Sequence, residues 1–130
     1  MKNTIFKVIK YTYYLSLIVL LILYLFPGSL IGFLLYSDLG KQPNLISNPI
    51  GTSINHFIFF FYLGILSFIT HVKYKKIIYS FPFLICISIL FETLHLIIPN
   101  RAFELNDLFG NSAGVLFAFL TLIFIKKIKN

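Results

Sequence analysis

Between Phe91 and Gly114 the chain concentrates most of the side chains able to do chemistry. Glu92 and His95 stand three residues apart, which places both on one face of a helix. A carboxyl beside an imidazole can move a proton, grip a polar ligand or contribute to a metal site. Arg101, the only arginine in the chain, follows in a turn with Pro99 and Asn100. Its planar guanidinium suits a phosphate or a carboxylate. Asp107, Asn111, Gly114 and Ala118 then recur at spacings of four, three and four, one face of a further helix. His56, in an earlier apolar stretch, falls at a comparable depth once the helices are set side by side. Glu92 and Asp107 are therefore the candidate acid–base groups. His56, Glu92, His95, Arg101, Asp107 and Asn111 form the candidate ligand-binding set.

Each of these residues also has a purely architectural reading. Glu92 bonded to Asn111 would hold two helices in register without any ligand. Asp107 suits the N-cap or first turn of a helix, where a negative charge is favoured. Arg101 has a local partner within reach in Glu104, three residues on. The Glu-x-x-His pattern of carboxylate metal sites occurs twice in such proteins and is joined by further glutamates; here it occurs once. No metal and no cofactor is expected. Ser53, Ser80 and Ser112 lack the nucleophile elbow of a serine hydrolase. Cys86 sits in apolar surroundings, where a thiol is inert, and as a lone cysteine it forms no internal disulfide. Gly110 and Gly114, with Ala113 and Ala118, give their helix a small-residue face for close packing.

The elements that must position these groups are apolar helices. Of the 130 residues 58% are hydrophobic and only 12% charged, with a mean hydropathy of +0.91. That leaves too little polar surface for a water-soluble globule and too much hydrophobicity for a disordered chain. Four stretches approach the ~20 apolar residues a membrane-spanning helix needs: about 5–26, 54–72, 77–98 and 108–125. Pro27 closes the first. No small-residue cleavage site follows it, so the reading is an uncleaved helix rather than a signal peptide. The intervening loop, 27–53, contains an apolar piece at 30–36 that is too short to span and suits an interfacial or re-entrant segment. The expectation is an all-α polytopic membrane protein with four transmembrane helices, folded as one domain over residues 1–130.

Charge supplies the orientation. Nine of the ten lysines lie before the first stretch, between the second and third, or after the fourth. The positive-inside rule then places both termini in the cytoplasm, an N-in/C-in arrangement in the cell membrane. Asp38, Glu104 and Asp107 fall in the outer loops or at their edge, with Glu92 near the outer end of the third helix. The net charge of +7 belongs to membrane flanks rather than to one basic face with stacking aromatics, so nucleic acid is not an expected partner.

The run Glu92-x-x-His95, Pro99-x-Arg101, Asp107-x-x-x-Asn111-x-x-Gly114, with His56 upstream, resembles the signature of the VanZ-like family. These are small four-helix membrane proteins named for an accessory protein in glycopeptide (teicoplanin) resistance. The resemblance covers mainly residues 50–125. It departs at two places: Thr52-Ser53 stand where the family usually carries Asp-Lys, and His95 stands where it usually carries glutamine. The resemblance implies a cell-envelope membrane protein in which the matched polar residues form the site.

Three function classes follow from these observations. The first is an accessory or binding protein whose outward polar pocket takes a lipid-linked or peptidoglycan-related anionic headgroup. The second is an enzyme modifying such a headgroup, with Glu92 or Asp107 as acid–base group and Arg101 as clamp. The third is a proton-coupled transporter component. Four helices without internal repeats disfavour the third.

Overall fold

The computed structural model describes residues 2–43, 46, 51–72 and 77–129. These residues form five helices in the order α1 (Lys2–Leu25), α2 (Leu30–Tyr36), α3 (Gly51–Val72), α4 (Ile77–Leu94) and α5 (Leu105–Lys129). Three are long and apolar enough to cross a membrane: Asn3–Leu25, Ser53–His71 and Leu105–Ile128. In α4 the apolar stretch Tyr79–Leu94 is shorter. The lysines and tyrosine expected between the second and third long helices, Lys73, Tyr74, Lys75 and Lys76, lie outside the described residues.

Helix boundaries follow the prolines and the turn chemistry. α1 gives way to a bend at Phe26, Pro27 and Gly28, as expected from the proline. The short apolar piece in the loop is a helix: the Ser29 hydroxyl caps α2 by accepting the Gly32 N–H at 2.9 Å. α4 ends four residues earlier than the apolar run suggested. His95 N–H, Leu96 N–H and Ile97 N–H bond back three residues, to the carbonyls of Glu92, Thr93 and Leu94. That tightened turn precedes Pro99, which disfavours helical geometry at Ile98. α5 in turn starts at Leu105 rather than Leu108, because the Glu104 carbonyl already accepts from Asp107 and Leu108.

The most extensive helix contact is α3 against α5. Its closeness comes from glycine. A β-carbon at Gly110 would sit 2.6 Å from the Ser53 carbonyl oxygen, and one at Gly114 would collide with the Phe57 carbonyl and the Phe61 N–H. Ala118 continues the line against Gly64. The apolar core beside this seam comprises Leu20, Phe60, Leu63, Phe68, Leu84 and Val115. Elsewhere the helices present exposed Leu, Ile and Phe to their surroundings, among them Leu15, Ile18, Leu90, Leu120 and Phe124. For a chain this apolar that exterior matches lipid.

Candidate functional site

The C-terminal end of α1, the start of α3, the turn after α4 and the start of α5 meet at one end of the bundle. Asp107, in the first turn of α5, does not cap its own helix. Its carboxylate reaches across to α3 instead, accepting the Ser53 hydroxyl at 2.7 Å and facing His56 Nε2 at 3.4 Å. The other ring nitrogen of His56, Nδ1, shares a hydrogen bond with the Tyr24 hydroxyl at 2.7 Å. The same hydroxyl lies 3.1 Å from Asn111 Oδ1, which is 3.2 Å from His56 Nδ1. Ser53, Asp107, His56, Tyr24 and Asn111 thus form a continuous polar chain linking α1, α3 and α5.

Glu92 belongs to a second group. Its side chain is fully buried and its Oε1 faces His95 Nδ1 at 3.3 Å while accepting the Glu104 N–H at 3.1 Å. It therefore ties the turn after α4 to the entrance of α5, where an acid is electrostatically favoured. The expected Glu92–Asn111 bond is not made: Glu92 Oε2 and Asn111 Nδ2 are both buried without a partner. The expectation assumed that the two helices run to a symmetric hairpin. α4 stops short and α5 starts early, so the two residues take different neighbours. His95 Nε2 is likewise without a partner. A buried polar atom left so costs roughly 1–3 kcal/mol, and three such atoms converge on this end of the molecule. The His95 ring is fixed by stacking on Tyr24, with centroids 5.1 Å apart and planes 15° apart.

Arg101 does not pair with Glu104, which is exposed; among the described residues the ion pairs are His56–Asp107 and His95–Glu92. The guanidinium turns back to α1. One terminal nitrogen donates to the Leu23 carbonyl at 2.7 Å, and Nε donates to the Phe26 carbonyl at 3.4 Å. The chemistry of this contact starts at Pro27. In an uninterrupted helix the Leu23 carbonyl would accept the N–H four residues on, and Pro27 has none. Arg101 supplies that missing donor. Burial pushes its guanidinium below the ordinary arginine value, opposed by nearby Tyr24, Glu92 and Asp107, and an arginine stays charged regardless.

Two adjoining cavities share Gln42, His56, His95 and Arg101 as walls. The polar one is completed by Asn100, Glu104 and Asp107. The other is a cleft of about 140 Å³ walled by Leu20, Leu23, Ile31, Phe59 and Phe60. The arrangement can hold an anion at Arg101 with hydrogen-bonding groups around it, and an apolar chain beside it. Among the described residues no three His, Cys, Asp or Glu side chains converge as a metal cage would require.

Four of the six residues expected to bind ligand stand on the cavity walls. They are His56, His95, Arg101 and Asp107, whereas Glu92 and Asn111 line neither cavity. Sequence reasoning missed Tyr24 and Gln42, and weighed Ser53 only as a nucleophile. For Tyr24 a signal existed, since it is the one hydroxyl in the aliphatic run from Val19 to Phe26. No curated protein and no solved structure matches the chain. A family model described as VanZ/LLP1 matches residues 8–126, from within α1 to near the end of α5. That span contains the whole polar end, and the chain belongs to the VanZ/LLP1 family.

Proposed function

We propose that this protein is an accessory or binding protein of the cell-envelope membrane that holds an anionic, lipid-linked headgroup. The observation that carries the reading is the shared wall: Arg101, His56, His95 and Gln42 border a polar cavity on one side and an apolar cleft on the other. A headgroup with a hydrocarbon tail fits that pairing better than a soluble anion, which would leave the cleft unused. In this reading residues 1–130 form one domain in which α1, α3, α4 and α5 all span. Both termini lie in the cytoplasm, on the positive-inside rule, and the polar end faces outward. A peptidoglycan-related headgroup suits such a position.

The test is binding in lipid nanodiscs, comparing a polyprenyl phosphate with the matching uncharged polyprenol. Preference for the phosphate by at least about tenfold, or about 1.4 kcal/mol, is expected. Equal binding, or none, sinks the reading. A reporter fused after Asn130 is expected to read cytoplasmic and one inserted at residue 41 to read external. An enzyme acting on the same headgroup is the second reading. It is favoured by the Asp107–His56–Tyr24 line of contacts, which has the form of an acid–base relay. Chemical change of the bound phosphate lipid over time separates it from the first.

A further inference from the structure

The two histidines of the polar end differ in what their second nitrogen does. His56 has both ring nitrogens engaged, Nε2 with Asp107 and Nδ1 with Tyr24. His95 is only 4% exposed, its Nδ1 is held at Glu92 Oε1, and its Nε2 has no partner. Its ring lines both cavities, as Arg101 does. We propose that His95 is the proton-dependent contact for the anion: as an imidazolium it donates Nε2–H to an oxygen of a phosphate ester held at Arg101. The proposal rests on the anionic-headgroup reading above and names the atom that makes the second contact.

The geometry fixes the chemistry of each protonation state. With Nδ1–H pointing at the Glu92 carboxylate, a neutral His95 ring offers only a lone pair at Nε2, which repels a phosphate oxygen. Protonation converts that nitrogen into a charge-assisted donor. Glu92 keeps the ring in this orientation, and the Tyr24 ring stacks on its face. The other ionisable groups around the cavities are His56 from α3, Arg101 from the turn, and Glu104 and Asp107 at the start of α5. Arg101 keeps its charge throughout, and His56 is already committed to Asp107 and Tyr24. Ligand affinity is therefore set by the His95 proton and rises on acidification.

The experiment uses the full chain in nanodiscs and a probe whose own charge is constant, dodecyl methyl phosphate, with dimethyl phosphate as the tail-less arm. For the unmodified protein, affinity for the tailed probe is expected to rise about tenfold between about pH 8 and about pH 5, the range in which histidines change charge. His95→Gln is expected to bind at the weaker, high-pH level with no pH slope, while His56→Gln keeps a slope. Nitrogen NMR of the unmodified protein supplies a readout independent of folding in the variants: probe addition near pH 7 is expected to protonate His95 Nε2. An unchanged slope in His95→Gln, or an Nε2 that stays unprotonated with probe bound, overturns the proposal. Absence of binding by the unmodified protein at both pH values overturns the headgroup reading and this proposal together. Equal affinity for dimethyl phosphate with the slope intact supports the His95 contact and overturns only the lipid source.

Discussion

The two ends of the helix bundle are joined by different kinds of contact. At the end where α1 finishes and α3 and α5 begin, buried carboxylates meet imidazoles, a phenol and an amide across four helices. Toward the other end the buried polar groups are hydroxyls, Ser67, Thr70 and Ser80. They sit among ring contacts: Tyr13 edge-on to His71 at 5.7 Å, and Phe119 within 5.6 Å of Phe68 and 5.2 Å of Phe81. His71 bonds one turn back, to Ser67. Hydroxyls can satisfy themselves on their own helix at little cost in lipid, whereas a carboxylate needs partners from elsewhere. The second end is what a membrane bundle needs in order to fold. The first contains more polar chemistry than folding requires: Glu92, His95 and Asn111 each leave a buried atom unpartnered there, against Thr70 Oγ1 toward the second end.

The contrast can be broken first at the seam that serves both ends. Gly114→Val drives a branched side chain into the α3 backbone and is expected to cost about 3 kcal/mol, read as thermal unfolding in detergent. A smaller loss is expected at the polar end alone. Asp107→Leu removes the partner of both Ser53 and His56 and should cost about 1–2 kcal/mol. Ser80→Ala, at the hydroxyl end, should cost no more than about 0.6 kcal/mol; equal losses at the two sites would erase the distinction. Arg101→Lys comes next. A lysine cannot bridge the Leu23 and Phe26 carbonyls as a fork does, so about 1 kcal/mol of stability is expected to go. Binding of a phosphate lipid should fall with it. The smallest effect is a coupling: Tyr24→Phe and Asn111→Leu should be non-additive by about 0.6 kcal/mol. Glu92→Gln and Asn111→Leu share no bond, and their effects should add to within about 0.5 kcal/mol.

Much of this architecture can be read from residue types alone. Unbroken apolar runs mark the long helices, and Gly110, Gly114 and Ala118 fall on the face that meets α3. The pairings are harder. Depth along a hairpin suggested Glu92 with Asn111, but a carboxylate chooses among all donors within reach. The Glu104 N–H, created by the early start of α5, is one that periodicity does not reveal. The role of Arg101 was encoded more plainly than its neighbours suggested. Pro27 strips a donor from α1, and an otherwise aliphatic helix end must find one. Attention to Glu104, close in sequence, hid a partner 78 residues away. Tyr24 is legible only as the one hydroxyl in an aliphatic run, since an aromatic at a helix end is more often an interfacial anchor than a group that turns inward.

The glycine seam also determines where the molecule is stiff. α3 and α5 touch backbone to backbone at Gly110 and Gly114, so the pair cannot part without separating main chains. α1, in contrast, is tied to the polar end through the tips of two side chains, Tyr24 and Arg101. Parting such ties needs only a change of side-chain rotamer, whereas parting the seam moves whole helices. The apolar cleft has one wall from each kind of element: Phe59 and Phe60 from the glycine-packed pair, and Leu20 and Leu23 from α1. The cleft therefore lies along the boundary between main-chain packing and side-chain packing.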